Sequence, residues 1–304
     1  MSTTKIAILG AGGIGKFHVR EFARAGAVVT AILGTTEKTV ERAIDVLHAE
    51  YGVRSNGYVE LEDLVEKERV DAVSICTPPA LHYEQAKKCL EAGCHVLCEK
   101  PFVFNSFADN SRHAIELIEL AKTRGRIITV NTQWPSMIPY IEPYIDRSVI
   151  SEFSLHSQPG AHGGEMFSDH VPHANSLLVA LIRGGRAHRV RFSVRSEDEI
   201  RCDFQYETDN ATCDVTYAFT FKADRPRGLG FSVNGVTFDR EVGQGYSQKL
   251  ITGGTAIAIE DPFKVQIEKF VRAIEGKGSV LIPTDEIREN MQLHDALAGA
   301  YASD

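Results

Sequence analysis

Lys5-Ile6-Ala7-Ile8-Leu9-Gly10-Ala11-Gly12-Gly13-Ile14-Gly15 is the stretch whose reading decides the fold. A short apolar run ends in glycine, and Gly10, Gly12 and Gly15 then fall at the spacing G-x-G-x-x-G. Ile14, Phe17 and Phe22 follow at helical spacing. An unbroken apolar run is what a buried parallel strand requires. Between strand and helix the three glycines differ in what they permit. The first allows the tight turn, the second lets backbone approach a pyrophosphate, and the third lets helix and strand pack closely. The helix N-terminus adds free N–H groups and the positive end of its dipole. The spacing alone is weak evidence, and a glycine turn that binds nothing is the alternative. The strand before it and the helix after it favour a dinucleotide, with Gly13 and Ile14 inside the turn as further contacts.

Outward from this turn the two periods keep alternating. Strands are expected at 27–33, 57–60, 70–76, 94–98 and 126–131, and helical stretches at 37–51, 61–67, 80–92 and 106–123. Gly93 stands where a helix ends in the left-handed conformation. Strands separated by helices of this length mean βαβ units and a parallel sheet. Past residue 131 the pattern changes. One helix is expected at 169–182, then β segments at 187–195, 201–208, 212–222, 228–233 and 237–242, and helices at 263–275 and 284–301. Asp209-Asn210, Asn234-Gly235 and Gly243-Gln244-Gly245 punctuate the β segments as hairpin turns do. The expected class is α/β: a Rossmann-type doubly wound parallel sheet over 1–128, dinucleotide-binding, and an α+β domain over 129–304 with a mainly antiparallel open sheet for substrate and oligomer contacts.

Composition excludes several classes. The chain has 304 residues, 43% hydrophobic and 24% charged, as globular proteins have, so disordered and collagen-like classes are out. A net charge of −8 argues against nucleic acid or an anionic membrane as partner. No apolar run reaches the length of a membrane span. The opening Met-Ser-Thr-Thr-Lys runs straight into the first strand without signal-peptide anatomy, which gives the expectation of a cytoplasmic protein. Cys76, Cys89, Cys94, Cys98, Cys202 and Cys213 match no common zinc spacing and read as structural thiols.

Three further segments stand at informative places. Cys76-Thr77-Pro78-Pro79-Ala80-Leu81-His82 follows the fourth strand, Glu99-Lys100-Pro101 follows the fifth, and Gly163–His173 opens the helix of the second domain. With the glycine turn, this order resembles the family of glucose–fructose oxidoreductase and inositol dehydrogenase over nearly the whole chain. The resemblance implies that Thr77, Pro78 and His82 lie near the nicotinamide ribose, that Glu99 and Lys100 border the cofactor with Lys100 beside the reacting carbon, and that Asp169 and His173 face it. Elementary chemistry agrees. Ligands of open parallel sheets bind at the carboxyl ends of strands. Asp169 and His173, at i and i+4, share a helix face. A hydroxyl that loses its hydride also loses a proton, which an imidazole can take. Lys100, Asp169 and His173 are thus the catalytic candidates, with Gln133, Trp134 and His170 as candidate substrate contacts.

Blander readings stand beside these. Lys100 is then a surface lysine, Asp169 a helix N-cap with Pro172 in the first turn, and His173 a satisfied core histidine. His156, His162, His170, His173, Glu165 and Asp169 are too loosely spaced for a zinc site, so no metal is expected. Ser176 occupies a position that is acidic in many family members. After the second strand, Gly34 stands where NAD-specific relatives carry an acid, while Thr35, Thr36 and Lys38 can meet a phosphate. NADP is therefore favoured over NAD. The function expected is nicotinamide-dependent hydride transfer to or from a sugar, cyclitol or related keto compound, by a homodimer or homotetramer. The alternatives are an imine or tetrapyrrole-type double-bond reductase and a non-catalytic NAD(P)-binding regulator.

Overall fold

A computed structural model describes residues 3–104 and 109–302. The expected helix from residue 106 therefore begins outside the described residues; its described part starts at Asn110. The chain forms two compact units that interleave along the sequence: Met1–Asn105, Arg112–Asn131 and Phe263–Thr284 make the first, and Ser106–Ser111, Thr132–Pro262 and Asp285–Asp304 the second.

In the first unit, β1 (Lys5–Leu9), β2 (Val28–Leu33), β3 (Asn56–Tyr58), β4 (Ala72–Ile75), β5 (His95–Cys98) and β6 (Ile128–Val130) form one sheet in the order β3-β2-β1-β4-β5-β6. All five pairings are parallel. The connecting helices are α1 (Gly15–Arg24), α2 (Glu37–Tyr51), α3 (Leu61–Glu68), α4 (His82–Glu91) and α5 (Asn110–Thr123). Ile6, Ala7, Ile8 and Leu9 are fully buried, as the unbroken apolar run requires. The strand order reverses between β1 and β4, which opens a crevice at their carboxyl ends. The glycine turn and Thr77 both follow those ends.

The second unit contains the short helix α6 (Ile138–Ile141). Its sheet contains β7 (Glu152–Ser157), β8 (Arg186–Ser196), β9 (Glu199–Glu207), β10 (Thr212–Thr220), β11 (Leu229–Val233), β12 (Val236–Val242), β13 (Gln248–Thr252) and β14 (Thr255–Ile259), ordered β14-β13-β12-β11-β7-β10-β9-β8. Only the β7–β10 pair is parallel. α7 (Gly163–Leu181) packs on this sheet, with Phe167, Val171, Ala174, Leu177 and Leu178 in one core with Phe153, Leu155, Tyr217, Phe219 and Phe231. α8 (Pro262–Ile274) sends Ile267, Phe270 and Val271 into the first unit's core beside Phe22. α9 (Thr284–Tyr301) sends Leu293, Leu297 and Ala298 into the second unit's core.

Three differences from the sequence reading matter. α7 starts at Gly163, with His162 at its N-cap, so Asp169 lies inside the helix rather than capping it, and Pro172 lies in its interior rather than its first turn. The ring of Pro172 removes one N–H donor from the helical ladder. β7, in the middle of the sheet, and β13 and β14 are strands beyond those expected from the sequence. The Asn234-Gly235 turn has positive φ at both residues, 47° and 80°, as a type I′ hairpin needs.

Candidate active site

The glycine turn is built as its spacing demands. Gly10 has φ 86°, and a Cβ there would lie 2.9 Å from the Cys76 carbonyl oxygen. A Cβ on Gly15 would meet the Gly10 carbonyl oxygen at 2.0 Å, so only glycine lets the helix begin this close to the strand. A Cβ added at Gly12 would meet nothing within 4 Å, which leaves that side of the turn open to a ligand. α1 begins there with no side-chain cap and no acidic residue in its first turn. The Gly15 N–H bonds the Gly12 carbonyl and the Phe17 N–H that of Ile14, both at 2.9 Å, so what this end offers an anion is chiefly the positive end of the helix dipole. A cavity of about 370 Å³ adjoins the turn, lined by Gly10, Gly12, Lys16, Gly34, Thr35 and Arg42 among others. A cradle of open backbone, a positive helix end and two cations suits the diphosphate and ribose of a dinucleotide.

At the rim after β2, the candidates separate. A Cβ on Gly34 would lie 2.7 Å from Val40 Cγ2, so a side chain there would have to push the Val40 side chain aside. Thr35 lines the cavity. Thr36 caps α2, its hydroxyl accepting the Thr39 N–H at 3.2 Å in a reciprocal capping box. Lys38 is exposed and not among the lining residues, whereas Thr39, Arg42 and Lys16 are. The sequence reading missed these three. Thr39, Arg42, Ala43 and Val46 follow the i, i+3, i+4, i+7 rule of one helix face, which was the available signal.

The ends of β4 and β5 carry the next group. Thr77 donates its hydroxyl hydrogen to Gln85 Oε1 at 2.6 Å, and Pro78 caps the turn at Pro79–Leu81. His82 is fully buried; its Nε2 lies 2.8 Å from the Thr77 carbonyl oxygen and its Nδ1 2.9 Å from that of Pro101. Burial holds this imidazole below its usual pKa. His82 thus stands between the carbonyls of the loops after β4 and β5, and in its neutral form donates its single N–H to one of them. Glu99 is also buried, its carboxylate bonded to His18 at 2.7 Å and to Asn131. Lys100 follows it, half-exposed, just beyond the β5 terminus.

In the second unit, α7 and the segment after Thr132 assemble an aromatic and imidazole cluster. Trp134 stacks on His173, ring centroids 4.9 Å apart and planes 19° apart, and meets His170 edge-on at 5.8 Å. His170 Nδ1 is 2.7 Å from Ser157 Oγ on β7, and its Nε2 is 3.6 Å from Asp169 Oδ2. Asp169 thus has the His170 imidazole at hand as well as the His173 with which it shares a helix face. Gln133 presents a buried Oε1 for which no partner stands among the described residues. Ser176 is engaged with Thr132, accepting its hydroxyl hydrogen at 2.8 Å, so it stabilises the chain entering this cluster. Among the described residues no group of three or more His, Cys, Asp or Glu is placed to hold a metal ion, and no helix is long and apolar enough to cross a membrane.

Comparison with known proteins completes the picture. Residues 4–132 match the model of an oxidoreductase family with an NAD-binding Rossmann fold. The UDP-N-acetylglucosamine 3-dehydrogenase of Acidithiobacillus ferrooxidans is 31% identical over 123 residues, 40% of this chain and 35% of that one. An NADP(+)-dependent scyllo-inositol 2-dehydrogenase of Bacillus subtilis is 32% identical over 118 residues, 32% of this chain and 34% of that one. The chain thus spans about a third of the length of these relatives. The solved structure of the A. ferrooxidans enzyme superposes with a TM-score of 0.75 at 19% identity, over 99% of this chain and 98% of that one, which extends the likeness of fold to both units. Residues 4–132 thus carry the match to the oxidoreductase family with an NAD-binding Rossmann fold, and the likeness over the rest of the chain is one of fold.

Proposed function

We propose that this protein is a nicotinamide-dependent oxidoreductase that interconverts a hydroxyl and a carbonyl group on a sugar, cyclitol or related keto compound. The observation that carries the reading is the cradle at the glycine turn: an uncapped α1 N-terminus, open space at Gly12 and an adjoining cavity. When bound there, the nicotinamide nucleotide supplies the hydride chemistry. Lys100 donates a hydrogen bond to the reacting oxygen and stabilises negative charge on it. His173 takes or returns the hydroxyl proton, with Asp169 orienting the imidazole. Trp134 gives His173 a flat apolar backing and offers its ring to the carbon face of a sugar. Pyranose and cyclitol rings are favoured over imines or tetrapyrroles because the two relatives described above act on a nucleotide sugar and a cyclitol, and an Asp–His set is superfluous in a regulator that only binds nucleotide. The test is nicotinamide absorbance during incubation with a panel of sugars, cyclitols and their keto forms. Oxidation or reduction of at least one is expected, and nucleotide binding with no turnover on any would favour the regulator.

NADP is the preferred form in this reading. Gly34 carries no acid that would repel a 2′-phosphate, and Thr35, Arg42 and Lys16 line the adjoining cavity. Titration with NADPH and NADH is expected to give tighter NADPH binding. Arg42→Ala should erase about tenfold of that preference, as loss of one charge-assisted bond does, and leave NADH binding unchanged. Equal weakening of both nucleotides would contradict the 2′-phosphate assignment. For assembly, we propose that the exposed outer face of the eight-stranded sheet meets a second copy, giving a homodimer or homotetramer. Light scattering that returns a monomer would remove this part of the reading.

A further inference from the structure

We propose that His18 is a positioning residue for Lys100, acting through the Glu99 carboxylate that it clamps beside the lysine backbone. The inference rests on the reading that Lys100 meets the reacting oxygen. His18 stands in the first turn of α1 and is fully buried. Its Nε2 is 2.7 Å from Glu99 Oε1, its Nδ1 is 2.9 Å from Ser74 Oγ on β4, and the ring of Phe263 closes over it edge-on at 4.9 Å. Asn131, just beyond β6, donates to the same Glu99 oxygen. The other oxygen, Oε2, accepts the backbone N–H of Lys100 at 3.2 Å. One carboxylate is therefore held from α1 and from the end of β6, and it holds the main chain of Lys100 in turn.

The titratable groups around the pair are the Cys76 and Cys98 thiols, the His82 imidazole and Lys100 itself. Burial pushes the His18 imidazole towards its neutral form, but Cys76 and Glu99 push the other way and prevail, raising it to about 10. Burial alone would raise Glu99, yet the bond from His18 holds it down at about 2. The two shifts run in opposite directions, towards a proton on His18 and a charge on Glu99. A buried ion pair adds little stability over an apolar pair of the same volume, and removing one partner strands a charge. What it does supply is direction, because two donors fix the plane of the carboxylate. The helix whose N-terminus cradles the pyrophosphate and the residue that follows β5 are thereby set in register through one side chain.

The test uses the full chain with NADPH bound and lysine labelled isotopically, so that the Lys100 amide resonance is identified by its absence in Lys100→Met. In His18→Leu that resonance should move and its hydrogen exchange quicken about tenfold, while NADPH affinity, read from nucleotide fluorescence, changes less than about twofold. His18→Gln, whose amide can donate to Glu99 from nearly the same place, should restore most of the wild-type signature. An unchanged Lys100 amide in His18→Leu would overturn the proposal, as would a loss spread evenly over all lysine amides that His18→Gln does not restore. If His18→Leu does not fold, Asn131→Ala serves in the same measurement, since it removes the other donor to Glu99. Should the amide respond as expected while Lys100→Met turns over sugars at the wild-type rate, the functional reading fails and the positioning stands.

Discussion

A methyl group added at Gly12 would meet nothing within 4 Å, whereas one added at Gly15 would lie 2.0 Å from the Gly10 carbonyl oxygen. The same substitution should therefore have two different outcomes. Gly12→Ala should fold with an unchanged melting temperature and bind nucleotide poorly, because its methyl occupies the ligand's side of the turn. Gly15→Ala should lose stability by about 1–3 kcal/mol, the usual scale of overpacking, since helix and strand must part. Thermal melts and nucleotide titrations of both proteins check this; equal melting temperatures for the two would contradict the close approach at Gly15. The glycine roles were legible in the sequence because spacing alone assigns them. The partners of Glu99 were not. Nothing in the residue string says that an acid next to Lys100 turns inward to a histidine 81 positions earlier.

The helices and strands divide in the same way. β1, β4 and β5 were legible because buried strands are apolar over most of their length, Lys5 of β1, Ser74 of β4 and His95 of β5 being the exceptions. β7 was not, although Glu152-Phe153-Ser154-Leu155-His156-Ser157 alternates perfectly, with Phe153, Leu155 and Ser157 buried. Its four polar residues among six hide a strand that is central to its sheet. The Gly253-Gly254 hairpin between β13 and β14, both glycines at positive φ, was an available turn signal. α7 begins earlier than its apolar period because Gly163 and Gly164 read as loop. At α2, the hydroxyl of Thr36 is committed to the helix rather than to a phosphate. Thr36→Ala should cost about 1 kcal/mol of stability, as loss of an N-cap does, while the NADPH dissociation constant stays within about twofold. A large fall in NADPH affinity at unchanged stability would instead make Thr36 a phosphate ligand.

For the whole molecule, stability should depend on pH through Glu286 at the start of α9. Burial raises its carboxyl to about 7, despite the Arg183 guanidinium bonded to it. A carboxyl raised on folding contributes stability that is present below its unfolded value and lost as pH rises through its folded value. Melting temperature should therefore fall as pH climbs through about 7, by a contribution of up to about 3 kcal/mol. Glu286→Gln should lack this part of the fall, so its stability relative to wild type grows between about pH 5 and about pH 8. A difference that stays constant over that range would show the carboxyl to be unperturbed.

The most direct measurement of the hydride-transfer reading is turnover by the wild type and by Lys100→Met on whichever sugar or cyclitol the panel returns, with nucleotide affinity measured on both. The expected result is a fall in kcat of about two to three orders of magnitude, the scale of one lost preorganised donor, with nucleotide affinity nearly unchanged. Equal kcat for the two proteins would contradict it.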